Sequence, residues 1–449
     1  MQATLLSQIA GATLPGRPKD CKYDIKFEEG KIIEIKEAEN GKSDEATLAG
    51  GHLLAPSLCH PHVHLDKAFL LSHPKYAHLQ IEKGTFAEAM ELTSKAKAHM
   101  EEDDLIQRGS RLIDESVKVG VTHMRAFVEV DPIVNMLCLQ AGSQIKRAHR
   151  DRCEIQICAF AQLPLFTADD DGQEIRKLME SAMSEEYSAD VVGSTPYVEE
   201  NRSKMEQNVE WLIDLALEHN KHIDFHLDYN LDPDTEPLVW HVLKTLKHKE
   251  WTRRTDKKIV LGHCTRLTLF SDEEWKRLVE EIDHLPISFV GLPTSDLYMM
   301  RKEGGVRGTL PIPTLIKKYK LNAAISMNNI GNAFTPFGCC DPLYLANLGV
   351  GVYQAGTLQD TELLYECVST RAKDAIGLSS TDFDPADNRY GLQVNKGSAA
   401  DFVLFGQTLS SPMTSSNESW KSIDTVSEAV YLYDGAKSRA TWYCGGRVA

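Results

Sequence analysis

No window of this 449-residue chain approaches the run of ~18 uncharged apolar residues that a membrane span needs, so a membrane-embedded protein is not expected. Basic charge is scarce: 49 Lys and Arg face 65 Asp and Glu, a formal net charge of -16. Nucleic acid and anionic membrane surfaces would both repel such a chain, whereas a small-molecule substrate meets local charge only. The ten cysteines include no CxxC pair and no repeated spacing. Vicinal Cys339 and Cys340 could bridge only with strain, and reduced thiols are expected throughout. The first twenty residues, MQATLLSQIAGATLPGRPKD, lack a basic n-region and a sustained apolar core, so no signal peptide is expected and a cytoplasmic protein is. No solenoid-type repeat is visible. What remains is ordinary globular composition, 42% hydrophobic and 25% charged, which permits a sizeable core and is compatible with a homo-oligomer.

Eight short apolar runs punctuate the chain: 52–65, 121–130, 154–163, 190–198, 222–229, 258–265, 286–296 and 322–328. Between them lie amphipathic helical patterns at 103–120, 205–221 and 271–285, the last opening on Ser271 with Glu274 three residues on, a capping-box signature. Strands alternating with helices predict parallel βαβ units, and eight of them predict a (β/α)8 TIM barrel. The ends read as β structure. A hairpin over 24–41 should turn at Glu29-Gly30, and strands are expected at 398–406, 429–436 and 440–449. The expected organisation is a small composite β-sandwich domain, 1–57 plus 386–449, flanking a catalytic barrel, 58–385.

In a parallel barrel the C-terminal ends of the strands converge on one mouth. The stretch HPHVHLDKAF (60–69) places His62 and His64 on one side of an extended strand, about 6–7 Å apart, where both could reach one ion. Other strands end at His226 and Asp228, at His263, near Thr294, Ser295 and Asp296, and at Asn328 and Asn329. His60, His222, His241, His248 and His284 read as structural histidines. The glycines of LGVGVYQAGT (348–357) mimic a dinucleotide loop but lack the βαβ context it requires. Lys67 reads equally as a mouth-lining contact to an anion or carbonyl and as a surface ion-pair partner. Arg307 could approach a substrate carboxylate, and Asp296 with Tyr298 could form a pocket wall.

The set PHVHLDKAF (61–69), GVTHMRAFVEVDP (120–132), AFAQ (159–162), ADVVGSTPY (189–197), HLDYNLDP (226–233), GHCT (262–265), LPTSDLYMM (292–300) and GSAADFVLF (397–405) resembles the amidohydrolase superfamily, in its cytosine deaminase-like branch. The resemblance implies a metal-dependent hydrolase of a non-peptide C–N bond, in a cyclic amide, an amidine or an amino-substituted heterocycle. It makes His62, His64 and His226 ligands of one divalent ion, zinc ahead of iron or manganese, and His263 the residue that polarises substrate or holds the attacking water. Gln162 falls where that branch places an amide on the heterocycle, and Lys67, Asn329 and Asp296 are further substrate contacts. Two positions depart from the pattern. Asn328 stands where the family has a metal-binding aspartate, with Asn332 at a second commonly acidic position, and Tyr229 stands where the branch has a proton-shuttling glutamate. An amide oxygen can ligate a metal but cannot act as a base. Asp228 or His263 is then the expected substitute base, with Tyr229 suited to proton donation or orientation. The alternative is a metal-poor relative that binds a small molecule or catalyses a non-hydrolytic step.

Overall fold

Strands covered on both faces have no solvent side, so they read as continuous apolar runs rather than as alternation. The eight runs become eight parallel strands in sequential order: Leu58–His64, Val121–Glu129, Glu154–Ala161, Val191–Ser194, His222–Leu227, Ile259–His263, Ile287–Gly291 and Ala323–Ile325. The structure, a computed structural model, describes residues 7–38, 47–187, 189–301, 307–378, 391–406, 423–434 and 438–449. The ring closes beyond the short eighth strand, where Asn328 pairs in parallel with Val63 of the first. His64 N donates to Asn328 O at 2.8 Å, and Asn328 N donates to His62 O at 3.1 Å. This is the expected TIM barrel.

Helices wrap the ring, and the cap read at 271–285 is present. The Ser271 hydroxyl accepts from Glu274 N, and the Glu274 carboxylate accepts from Ser271 N at 2.7 Å. Two runs end earlier than their apolar character suggests. The seventh strand stops at Gly291, and Pro293 opens the helix Pro293–Met299, so Thr294, Ser295 and Asp296 sit in a helical first turn instead of a strand end. The eighth stops at Ile325, three residues before Asn328.

Both chain ends build flanking antiparallel structure. One sheet orders Lys31–Glu37, Tyr23–Glu28, Ser7–Ala12 and Thr47–Leu48; the other orders Gly446–Arg447, Arg439–Tyr443, Phe402–Phe405 and Leu54–Pro56. They share one apolar core that includes Ile9, Phe27, Leu54, Phe402 and Trp442. The hairpin turns at Glu29 and Gly30, both at positive φ (49° and 74°), as a tight two-residue turn requires. The boundary expected at 386 lies outside the described residues. The strand expected over 429–436 is corrected: its first three residues belong to a helix, Val426–Tyr431, packed into the barrel's core cluster through Val426, Ala429 and Val430. Thr425 and Glu428 cap that helix reciprocally, and this local preference outweighs the short β-like alternation of AVYLY. No described helix is long and apolar enough to cross a membrane, and none of the ten cysteines is paired.

Candidate active site

The first and fifth strands bring three imidazoles together. His226 Nε2 stands 3.1 Å from His62 Nε2 and 3.0 Å from His64 Nε2, and all three residues are buried. Burial pushes each ring's pKa below the ordinary 6.5, well below it for His64 and His226, so the three present neutral nitrogen lone pairs to one point. At His62 the carboxylate of Asp224 opposes that shift, lying 3.3 Å from Nδ1, and Asp224 is itself held at 2.9 Å by buried Arg125. The ring packs so closely on the sixth strand that a Cβ on Gly262 would stand 2.9 Å from His62 Cε1. Only glycine leaves that space.

These donors fit a divalent ion. Three neutral nitrogens with mutual separations within 4.8 Å form a three-histidine ligand set, and no other described cluster meets that criterion. Asn328 adds a fourth group from the seam of the barrel. Its Nδ2 donates to Ser295 Oγ at 2.9 Å, while its Oδ1 is buried without a hydrogen-bond partner. A buried amide oxygen left unbonded is costly unless something accepts its lone pair.

Beside this cluster, His263 Nδ1 lies 2.7 Å from Asp296 Oδ1, the geometry of an N–H donated to a carboxylate, which leaves Nε2 as the free ring nitrogen. Asp296 Oδ2 also accepts from Leu292 N and Thr309 Oγ1, so this side chain serves His263 and is not among the described residues lining the cavity. Burial raises the Asp296 carboxyl, opposed by its hydrogen bond to His263. Tyr229 lies over His263 with ring centres 4.0 Å apart, and burial lifts its phenol well above the ordinary 10, so it remains a proton-bearing group. Asp228 is placed differently from the expected base. Its two carboxylate oxygens accept from Leu238 N at 2.7 Å and Val239 N at 3.1 Å, tying down the start of the next helix, and it does not line the cavity. Burial raises its carboxyl to about 6 despite those amides. Asp228, His263 and Asn328 all adopt positive φ (48°, 65° and 62°), so backbone strain of about 1–3 kcal/mol each gathers at the mouth.

The cavity over the cluster measures about 300 Å³ including its open mouth and is lined by His64, His226 and Asn328 on the metal side. Phe86, Tyr197, Tyr229 and Phe334 supply aromatic walls. Lys67, Gln162 and Asn329 supply polar groups. Lys67 is fully buried, so it is not a surface ion-pair partner. Its ammonium contacts Glu129 at 2.5 Å and Gln162 Oε1 at 3.1 Å. Lys97 bridges Glu129 to Asp131 behind it. Burial alone would raise the Glu129 carboxyl; Lys67 and Lys97 hold it at about 2. Asn332 donates to Asn329 Oδ1 at 2.7 Å and so supports the cavity wall without lining it. Arg307 is exposed, and His60 is a structural residue, bonded to Cys340 O and Ser116 Oγ, with burial taking it down to about 4. Sequence reading missed Arg125, Asp224, Glu129 and Lys97. The signal for the first three was present: charged residues inside VTHMRAFVEV and HIDFHL, strands otherwise apolar.

No family model matches the chain. It is 23% identical over 418 residues to the N-isopropylammelide isopropyl amidohydrolase of Pseudomonas sp. (strain ADP), covering 93% of each chain. Its fold matches the 5-methylcytosine deaminase of Klebsiella pneumoniae with TM-score 0.81 and 22% identity, over 98% of this chain and 97% of that one. An adenosine deaminase from Xanthomonas campestris, solved with bound zinc, matches with TM-score 0.65 and 12% identity over 98% and 92%. The chain thus shares the barrel fold of these deaminases, and its sequence likeness to the amidohydrolase runs along nearly its whole length.

Proposed function

We propose that the protein is a metal-dependent hydrolase that cleaves a non-peptide C–N bond of a small heterocycle, releasing ammonia or an amine or opening the ring. The observation that carries this reading is the meeting of His62, His64 and His226 nitrogens with the unbonded Asn328 oxygen beneath an aromatic-walled cavity. The names of the relatives agree with it: an amidohydrolase and two deaminases, one with zinc. His62, His64, His226 and Asn328 would hold the ion, zinc ahead of iron or manganese, which when bound lowers the pKa of a coordinated water towards ~7.

The remaining steps fall to side chains. Asp296 fixes the His263 tautomer, so Nε2 can accept a proton from the nucleophile and return it to the departing nitrogen. His263 is therefore the general base and acid in this reading, favoured over Asp228, whose carboxylate is turned to two amides and does not line the cavity. Tyr229, always protonated, orients the ring and donates a hydrogen bond. Phe86, Tyr197 and Phe334 give a planar substrate aromatic walls, while Gln162, Lys67 and Asn329 read its polar edge. Ten unpaired cysteines suit a reducing, cytoplasmic location.

Elemental analysis of protein purified without added metal tests the proposal. Near-stoichiometric zinc, iron or manganese is expected, lost in a His62→Ala/His64→Ala double variant; metal-free protein after metal-replete expression would overturn it. Asn328→Asp should tighten metal retention, and unchanged occupancy would place Asn328 outside the ligand set.

A further inference from the structure

The polar wall of the cavity can be read donor by donor. Asn332 Oδ1 accepts the backbone N–H of Phe334 (3.0 Å) and Thr335 (3.1 Å), which fixes the orientation of that amide. Its Nδ2 then donates to Asn329 Oδ1 at 2.7 Å, so the acceptor of Asn329 is taken and its NH2 is left for the cavity. Gln162 is fixed in the same sense. Its Oε1 accepts from Lys67, and its NH2 turns towards the Tyr197 hydroxyl. Lys67 has only N–H groups, two of them committed to Glu129 and Gln162, and lines the cavity with the third. Lys67 and Asn329 thus present donors to the cavity, while the Gln162 amide is engaged at both ends.

Charge points the same way. No described residue lining the cavity is acidic, and the two positions where the family resemblance expects carboxylates hold Asn328 and Tyr229. Glu129 and Asp131 pair with Lys67 and Lys97, but neither carboxylate lines the cavity. The free acceptors, His263 Nε2 and Asn328 Oδ1, lie on the metal side. A neutral ring N–H brought against Lys67 and Asn329 would meet donors and lose its hydrogen bond, whereas an anionic oxygen would gain charge-assisted ones.

We infer that this site takes its heterocyclic substrate as an anion, with an ionised ring oxygen or a ring carboxylate held by Lys67 and Asn329. The inference rests on the hydrolase reading and narrows its substrate class. It also gives the missing carboxylates a reason: a negatively charged substrate would be repelled by an aspartate and a glutamate at positions 328 and 229.

Isothermal titration of the purified protein with four rings at neutral pH tests it. Cytosine and uracil are neutral there, barbiturate carries an ionised ring oxygen, and orotate carries a carboxylate. At least one anion should bind about 10- to 100-fold more tightly than both neutral rings. Barbiturate alone would assign the ring oxygen, orotate alone the carboxylate. Lys67→Met should abolish the preference and Lys67→Arg retain much of it. Because Lys67 is buried and these variants can misfold, the wild-type comparison decides by itself. Neutral rings binding as well as the anions, or no ring binding at all, overturns the inference. Metal content read on the same sample separates the two failures: metal-free protein sinks the hydrolase reading, while metal-replete protein without an anion preference sinks only the anionic substrate.

Discussion

At the floor of the barrel, most buried polar groups find one another; at the mouth, several are left without partners. On the floor, Ser57 Oγ pairs with Thr122 Oγ1 at 2.6 Å and accepts from Lys373 at 2.7 Å, and Thr122 reaches His123 Nδ1 at 2.7 Å. One layer up, Arg125 divides its donors among Gln156, Asp224 and the Ile376 carbonyl. At the mouth, by contrast, Asn328 Oδ1 has no partner, three neutral imidazoles crowd one point, and three residues hold positive φ. The same fold therefore carries two regimes: below, geometry that lowers energy by pairing, and above, geometry that stores unfavourable terms until a ligand offsets them.

Variants can break this contrast from the top down. His263→Ala should leave the metal in place yet lower kcat by about 10²–10⁴-fold, as loss of a positioned acid–base group does; steady-state kinetics paired with metal analysis checks it, and loss of metal would mean His263 belongs to the ligand set. Glu129→Gln tests the joint between the regimes. It strips a carboxylate from two buried lysines and should cost about 3–5 kcal/mol of stability in denaturant unfolding. It also has a pH signature. Glu129 is held at about 2 against its ordinary 4.5, so the unfolded chain binds the extra proton between those values. Its stabilising contribution is complete above about pH 4.5 and disappears as pH falls through 2, and the variant should show a flatter acid limb. Asp224→Asn is the gentlest probe. By loosening the His62 ring it should weaken metal affinity about 10–100-fold, seen in competition with a chelator. It also leaves buried Arg125 without its carboxylate, so denaturant unfolding should show a loss of a few kcal/mol, softened by the bonds Arg125 keeps to Gln156 and the Ile376 carbonyl.

Much of this was legible in the sequence because barrel strands and ligands both leave local marks. Buried parallel strands appear as apolar runs, and the alternation of an extended chain fixes His62 and His64 on one side without any tertiary knowledge. His226 and His263 were found by their places at strand ends. What escaped depends on contacts between distant positions. Asp228 reads as a mouth carboxylate until the loop brings Leu238 and Val239 back to it, and the Lys67–Glu129 pair spans two strands. The helix at 426–431 was missed for a different reason: five residues of alternation cannot separate strand from helix, and the deciding cap, Thr425 with Glu428, lies just upstream.

The join at Asn328 has a consequence for the order of assembly. The eighth strand is only three residues long, and the ring is completed by a lone bridge at the position that would complete the metal's coordination. Residues 64 and 328 must find each other across most of the chain, so this contact carries the largest loop-closure cost of the barrel and belongs among the last to form. A divalent ion bound there would clasp the first and last staves directly, adding RT ln(1 + [L]/Kd) where the hoop is weakest. Uptake of metal would then hold that seam shut, and its loss would be felt first where the ring is joined.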